Sequence, residues 1–279
     1  NGYVEEGGEG VMARIYREMP LNSIWEGAGN IMAIDLLRAL RKADAAAALA
    51  HELAPARGMH AALDRLAATL MADEALLGFC HALAAEGLIA ERLHQRHAID
   101  PVLSPLVQEL IASEDPAIAS LAMSTLAAQS RFVQGQRRME LPLGELPAEL
   151  FHRLIGRAQT EAQDAAALGR LQAGYDEATG RLGLLARLVA AMRRGAMAAL
   201  ALDHAGLALF ASALSITTRQ QRGDAVLACH EGQGLRLALL LRAGELSPAA
   251  IERQLLLVEP SGHLPRGFGG VSSERAAAL

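Results

Sequence analysis

Glu26 is the side chain of this sequence best placed to move a proton. It stands in the run Arg17-Glu18-Met19-Pro20-Leu21-Asn22-Ser23-Ile24-Trp25-Glu26-Gly27-Ala28-Gly29-Asn30, with an indole before it and glycines after it. Ser23-x-x-Glu26 also has the spacing of a capping box, in which the carboxylate merely closes a helix start. Gly27 and Gly29 are poor first-turn residues, which favours a tight loop at a helix entrance instead. In such a loop Trp25 would desolvate the carboxylate. Desolvation raises a carboxyl pKa toward the range of a useful general base. Spacing alone leaves both readings open.

Other reactive side chains give weaker patterns. His94-x-x-His97 puts two imidazoles on one helical face, with Glu91 a turn before them. No third ligand stands nearby, so a surface or interhelical role is expected and no metal site is assigned. Cys80 and Cys229 lie in apolar helical contexts and are expected to be buried and inert. Arg131, Arg137 and Arg138 form a basic cluster too small for single-sign steering and read as a solvated face. Gly7-Gly8-Glu9-Gly10 lacks the Lys and the strand–helix setting of a phosphate loop.

The elements that must position these groups read as helices. Hydrophobic residues make up 52% of the 279, aromatics 3%, and the formal net charge is −5. Ala and Leu together exceed a third of the chain, which favours helix over sheet. The apolar fraction excludes a disordered chain, two Cys exclude a disulfide framework, and no basic block marks a nucleic-acid partner. No apolar run reaches the roughly 18 residues of a membrane span. The chain opens at Asn1-Gly2-Tyr3 without an initiator Met, a basic n-region or an apolar h-region; it is read as cytoplasmic and truncated at the front.

Residues 1–29 read as loop, with a short apolar patch over 11–16. Ile31, Ile34, Leu37 and Leu40 then share one helical face, an Ala-rich helix covers 43–53, and Leu63, Leu66 and Leu70 mark a helix over 59–72. A helix over 74–98 is expected to be interrupted at Gly87. Val102, Leu103, Leu106, Val107, Leu110 and Ile111 form a stripe, and Asp115-Pro116 stops that helix and starts the next. The pair resembles one solenoid repeat without a clear second copy. Residues 139–149 form a connector. Helices are expected over 150–171, 182–202, 204–216, 218–230 and 232–243, with a last one opened by Ser247-Pro248. The Gly- and Ser-rich tail from Pro260 is expected to fray. No segment alternates with a period of two, so the fold class is all-α.

The run from Arg17 to Met32 resembles the C-terminal catalytic segment of the acyl-CoA dehydrogenases, whose usual pattern is Arg-Asp-Ala-Lys-Ile-x-x-Ile-Tyr-Glu-Gly-Thr. Arg17 through Ala28 keep that spacing, and Asn1-Gly2-Tyr3 falls where the preceding Gly-rich loop of the family ends. The wording Pro-Leu-Asn-Ser-Ile-Trp-Glu-Gly-Ala-Gly-Asn-Ile-Met is closer to the alkylation-response (AidB-like) branch. The resemblance implies that Glu26 removes the α-proton of an acyl-CoA while an FAD accepts the β-hydride, and that Trp25, Gly27 and Ala28 line the flavin. Trp25 replaces the common Tyr, and Ala28 the Thr that normally contacts FAD. Both departures fit that branch and weaken a reading as ordinary β-oxidation. The resemblance covers 1–72. The family's N-terminal helical domain and middle β-domain lie upstream of it, so a complete FAD site is not expected from this chain alone.

Residues 74–279 do not resemble an acyl-CoA dehydrogenase. The runs Asp100–Leu106, Leu126–Phe132 and Gln136–Leu143, with the block from Leu182 to Pro248, resemble the bacterial all-helical domain-of-unknown-function family 2336. The chain is thus expected to hold two units, a truncated dehydrogenase segment over 1–72 and a helical domain over 74–279, joined naturally or by a frameshift or assembly error. The partners expected are acyl-CoA, by the resemblance, and a further copy in a homo-oligomer. The alternative function is a non-enzymatic helical interaction or regulatory module.

Overall fold

A computed structural model describes residues 70–278 except 139, 162–164, 231, 260 and 261, together with 65, 67 and 68. Among the described residues every regular element is a helix, as the composition and periodicity require. The first, α1, spans Glu74–His97. Asp73 starts it by accepting hydrogen bonds from the backbone N–H groups of Ala75 and Leu76, both at 3.1 Å. Gly87 does not interrupt α1, contrary to the sequence expectation. A Cβ there would lie 2.6 Å from Oε1 of Gln136, whose Nε2 donates to the Leu83 carbonyl at 2.6 Å. The glycine is therefore a site of close approach inside a continuous helix.

The striped segment divides differently from its periodicity. Helix α2 is only Pro105–Ile111, capped by Ser104. Val102 and Leu103 precede it in a turn, their N–H groups donating to Asp100 Oδ1 at 2.7 and 2.8 Å. Asp115 Oδ1 accepts from Ala117 at 2.8 Å, and α3 runs Pro116–Arg138, as the Asp-Pro pair predicts. Helix α2 packs against α3, so the hairpin read from the sequence is present.

Helix α4 (Ala148–Glu161) and α5 (Ala165–Gly174) follow a 3-10 turn at Leu143–Glu145. Helix α6 is Arg181–Met192 and gives way to a 3-10 stretch, Arg193–Leu200. The sequence predicts one helix over 182–202. The break falls at Arg193 (φ 50°), beyond which Ala199, Leu200 and Leu202 are buried, so core burial overrides helix propensity. Helix α7 (Leu202–Thr218) bends at Gly206, where φ is 70° and a Cβ would stand 3.1 Å from that of Ser104. Helices α8 (Arg222–Ala228), α9 (Gly234–Ala243) and α10 (Pro248–Val258) complete the body, α10 capped by Ser247 as expected.

The tail does not fray. Phe268 and Ala276 are buried, a 3-10 turn covers Phe268–Gly270, and α11 (Ser273–Ala277) packs on α9. Arg242 Nε of α9 donates to the Val271 carbonyl at 2.6 Å. A buried aromatic and a side-chain clamp outweigh the glycines of this stretch.

Two apolar clusters result. The larger surrounds α7, whose Phe210, Ala211, Ala213 and Leu214 are fully enclosed by α1, α2, α6, α8, α9 and α10. The smaller joins Leu70, Leu76 and Cys80 to Leu146, Phe151, Ile155 and Ala158, with Leu168 of α5. Tyr175 stacks on Phe151 with ring centroids 3.9 Å apart and donates its hydroxyl proton to the Leu146 carbonyl at 2.7 Å.

Candidate functional site

The densest group of charges in the described residues lies inside the larger cluster. Glu86 sits midway along α1 and is only 2% exposed. Arg181, the first residue of α6, donates to both its carboxylate oxygens at 2.8 and 3.0 Å. Arg222, the first residue of α8, does the same from the other side, both bonds at 2.7 Å. Each pair is bidentate, the geometry that fixes a guanidinium most firmly on a carboxylate. Arg181 also donates to Gln129 Oε1 of α3 at 3.0 Å and lies 3.5 Å over the Phe132 ring. Arg222 Nε donates to Ser212 Oγ of α7 at 2.9 Å. The group thus ties α1, α3, α6, α7 and α8 together.

Burial by itself would raise the pKa of Glu86. The charges of Arg181 and Arg222 and their hydrogen bonds outweigh it and hold the carboxyl well below the usual carboxylate range. Burial also lowers Arg181, opposed by Glu86. Both oxygens of Glu86 are occupied by guanidinium protons. The carboxylate cannot act as a base near neutrality, and its chemistry is that of a lock between helices. One carboxylate faces two guanidiniums, so the enclosed group carries an excess of positive charge.

A hollow of about 300 Å³, part of it open to solvent, adjoins this lock between α2, α3, α6 and α7. Its polar lining includes Asp100, Ser104, Thr125 and Gln129. Asp100 accepts from Val102 and Leu103, Thr125 donates to the Leu121 carbonyl, and Gln129 donates to that of Pro101. The lining holds one carboxylate and no cation. A dinucleotide with two phosphates such as FAD does not fit it.

The residues assigned from the sequence are placed as follows. Glu26, Trp25, Gly27 and Ala28 lie outside the described residues. His94 and His97 are exposed in the last turn of α1, where cations complement the helix dipole. Among the described residues no group of three or more His, Cys, Asp or Glu side chains is arranged to hold a metal ion. Cys80 and Cys229 are buried, as expected, and burial pushes each thiol up to about 12. Arg131, Arg137 and Arg138 are exposed, and Arg138 pairs with Glu140 at 2.8 Å. The Glu86 lock escaped the sequence reading. Its one local signal is a lone acid within Leu83-Ala84-Ala85-Glu86-Gly87-Leu88-Ile89, a charge on an otherwise apolar stretch.

Comparison with known proteins gives a short, strong match to a protein of acyl-CoA dehydrogenase type. That relative is the protein named "Putative acyl-CoA dehydrogenase AidB" of Escherichia coli (strain K12), 61% identical over 41 residues. The match takes in 15% of this chain and 7% of that protein's length. No protein-family profile matches the chain, and no solved structure does. The resemblance of residues 74–279 to family 2336 stands without support.

Proposed function

We propose that the chain joins an acyl-CoA dehydrogenase segment of the AidB-like branch, residues 1–72, to a helical module, residues 74–279, that binds rather than catalyses. The 61% identity over 41 residues carries the first half of this reading. In it Glu26 takes the proton from the carbon next to the thioester carbonyl of an acyl-CoA, and Trp25, Gly27 and Ala28 border the FAD. The second half draws support from the state of the reactive groups in the described helices. Glu86 is neutralised by two arginines, and both thiols stay protonated at neutral pH. The junction at residue 73 coincides with the residue that caps α1.

Two measurements test the halves separately. The 279-residue chain, purified and incubated with excess FAD, should elute colourless. Flavin retained in stoichiometric amount would show that the chain holds its own cofactor site and would overturn the module reading. In a polypeptide that joins this segment to the rest of an acyl-CoA dehydrogenase, Glu26→Gln should lower acyl-CoA-dependent flavin bleaching by about 10²–10⁴-fold with flavin content unchanged, because Gln keeps the shape but cannot accept the proton. Unchanged bleaching, with a lowered melting temperature, would make Glu26 a helix cap instead.

A further inference from the structure

The last seventeen described residues, 262–278, are attached to the body unlike any other segment. Only Phe268 and Ala276 among them are buried. Leu264 and Val271 pack partly against the main cluster. Beneath them α9 and α10 are anchored by Leu237, Ala238, Leu241 and Ile251, all fully enclosed. The stretch 262–265 has no regular structure, and the path depends on two glycines. A Cβ on Gly262 would stand 2.9 Å from the Glu259 carbonyl, and Gly267 has φ 85°. The tail's polar clamp is Arg242, whose Nε meets the Val271 carbonyl at 2.6 Å while its NH1 holds that of Leu246 at 3.1 Å. Sparse burial and exposed backbone are the marks of a segment that opens on its own, ahead of global unfolding.

We propose that residues 262–278 form a releasable strap over a peptide-docking groove on α9. The strap shows what the groove takes: an aromatic anchor in the place of Phe268, a β-branched residue three positions later whose carbonyl accepts from Arg242, and a short helical turn in the place of α11. The occupant after release is a partner segment of that pattern. Backbone and anchor recognition of this kind combines one buried aromatic with a few fixed polar contacts. The strap competes for the groove intramolecularly, so a partner meets only the fraction of molecules that are open. This inference rests on the reading of residues 74–279 as an interaction module. That reading falls on retained flavin, whereas the strap falls on peptide uptake, so the two failures are distinguishable.

The test uses the full chain and a fluorescein-labelled peptide of residues 262–278, read by fluorescence anisotropy. Phe268→Ala in the chain, with Phe kept in the peptide, should raise the apparent affinity about tenfold or more over the unaltered chain, because its own strap closes less often. The same peptide with Ala in place of its Phe should bind about tenfold more weakly, a difference of roughly 1.4 kcal/mol. Equal uptake by the two chains, with the helical circular dichroism of both intact, would overturn the proposal. Peptide-sensitive dimers in light scattering would overturn the partner form of it, since a second copy would then fill the groove. If Phe268→Ala prevents folding, hydrogen exchange of the unaltered chain decides. Amides of 271–278 should exchange about a hundredfold faster than those of α9, and equal protection would sink the strap.

Discussion

The two apolar clusters each hold a carboxylate between two arginines, in opposite settings. In the larger, Glu86, Arg181 and Arg222 have side chains 2%, 1% and 16% exposed. In the smaller, Asp73 is 6% exposed, but Arg153 and Arg157 of α4, which reach it at 3.1 and 2.9 Å, keep a third of their surface in water. Asp73 also spends one oxygen on the start of α1. The same three charges therefore make a sealed lock in one place and a wet latch in the other. Desolvation decides which is expensive to break. A buried charge that loses its partner has no water to turn to, while a half-exposed arginine does.

The sharpest way to break this comparison is Glu86→Ala. It strands two guanidiniums in the core and should cost about 3–5 kcal/mol, read from urea unfolding. A loss below about 1 kcal/mol would mean that water reaches the arginines and that the lock is no different from the latch. Asp73→Ala should cost about 1–2 kcal/mol, most of it the lost cap, with each half-exposed pair adding less than ~1 kcal/mol. Acid should separate the two as well. Burial pushes each carboxyl up, but the opposing arginines, and for Asp73 also the Leu76 amide, hold both below their ordinary values of 4.5 for Glu86 and 3.8 for Asp73. Groups with depressed folded pKa values stabilise fully above those ordinary values and lose that contribution as pH falls below them. Stability measured downward from pH 5 should therefore fall less steeply in Glu86→Gln than in the unaltered chain, and a parallel fall would contradict the lock. The smallest effect is expected for Arg236→Ala. Its pair with Asp224, 2.8 Å long, has both side chains 40% or more exposed. The cost should be about 0.5 kcal/mol or less and should vanish in high salt, as a melting series would show.

What the sequence could disclose follows the range of the interactions. Asp115-Pro116 and Ser247-Pro248 were readable because a cap and the proline it precedes are neighbours in the chain. The all-α class was readable because periodicity is local. Gly87 misled, since the reason for it is Gln136 on another helix. The break at Arg193 was invisible because an Ala- and Leu-rich stretch looks helical until the core it must rejoin is known. The lock was least legible of all. Its partners lie 95 and 136 positions from Glu86, and nothing near any of the three announces the others. Glu26 is the reverse case: its motif is wholly local, so the sequence speaks for it where the described helices cannot.

The places from which Arg181 and Arg222 reach Glu86 matter for the helices they begin. Each is the opening residue of its helix, and neither Gly180 nor Gln221 supplies a side-chain cap. A cation at that end is the wrong sign for the helix dipole, which is positive there. Glu86 supplies the missing anion for both starts at once, and Glu145 Oε2 takes the backbone N–H of Arg181 at 3.0 Å. One acid in the middle of α1 thus serves as a shared counter-charge for the beginnings of α6 and α8. Those two helices carry no local means of starting well, and their order is borrowed from a third.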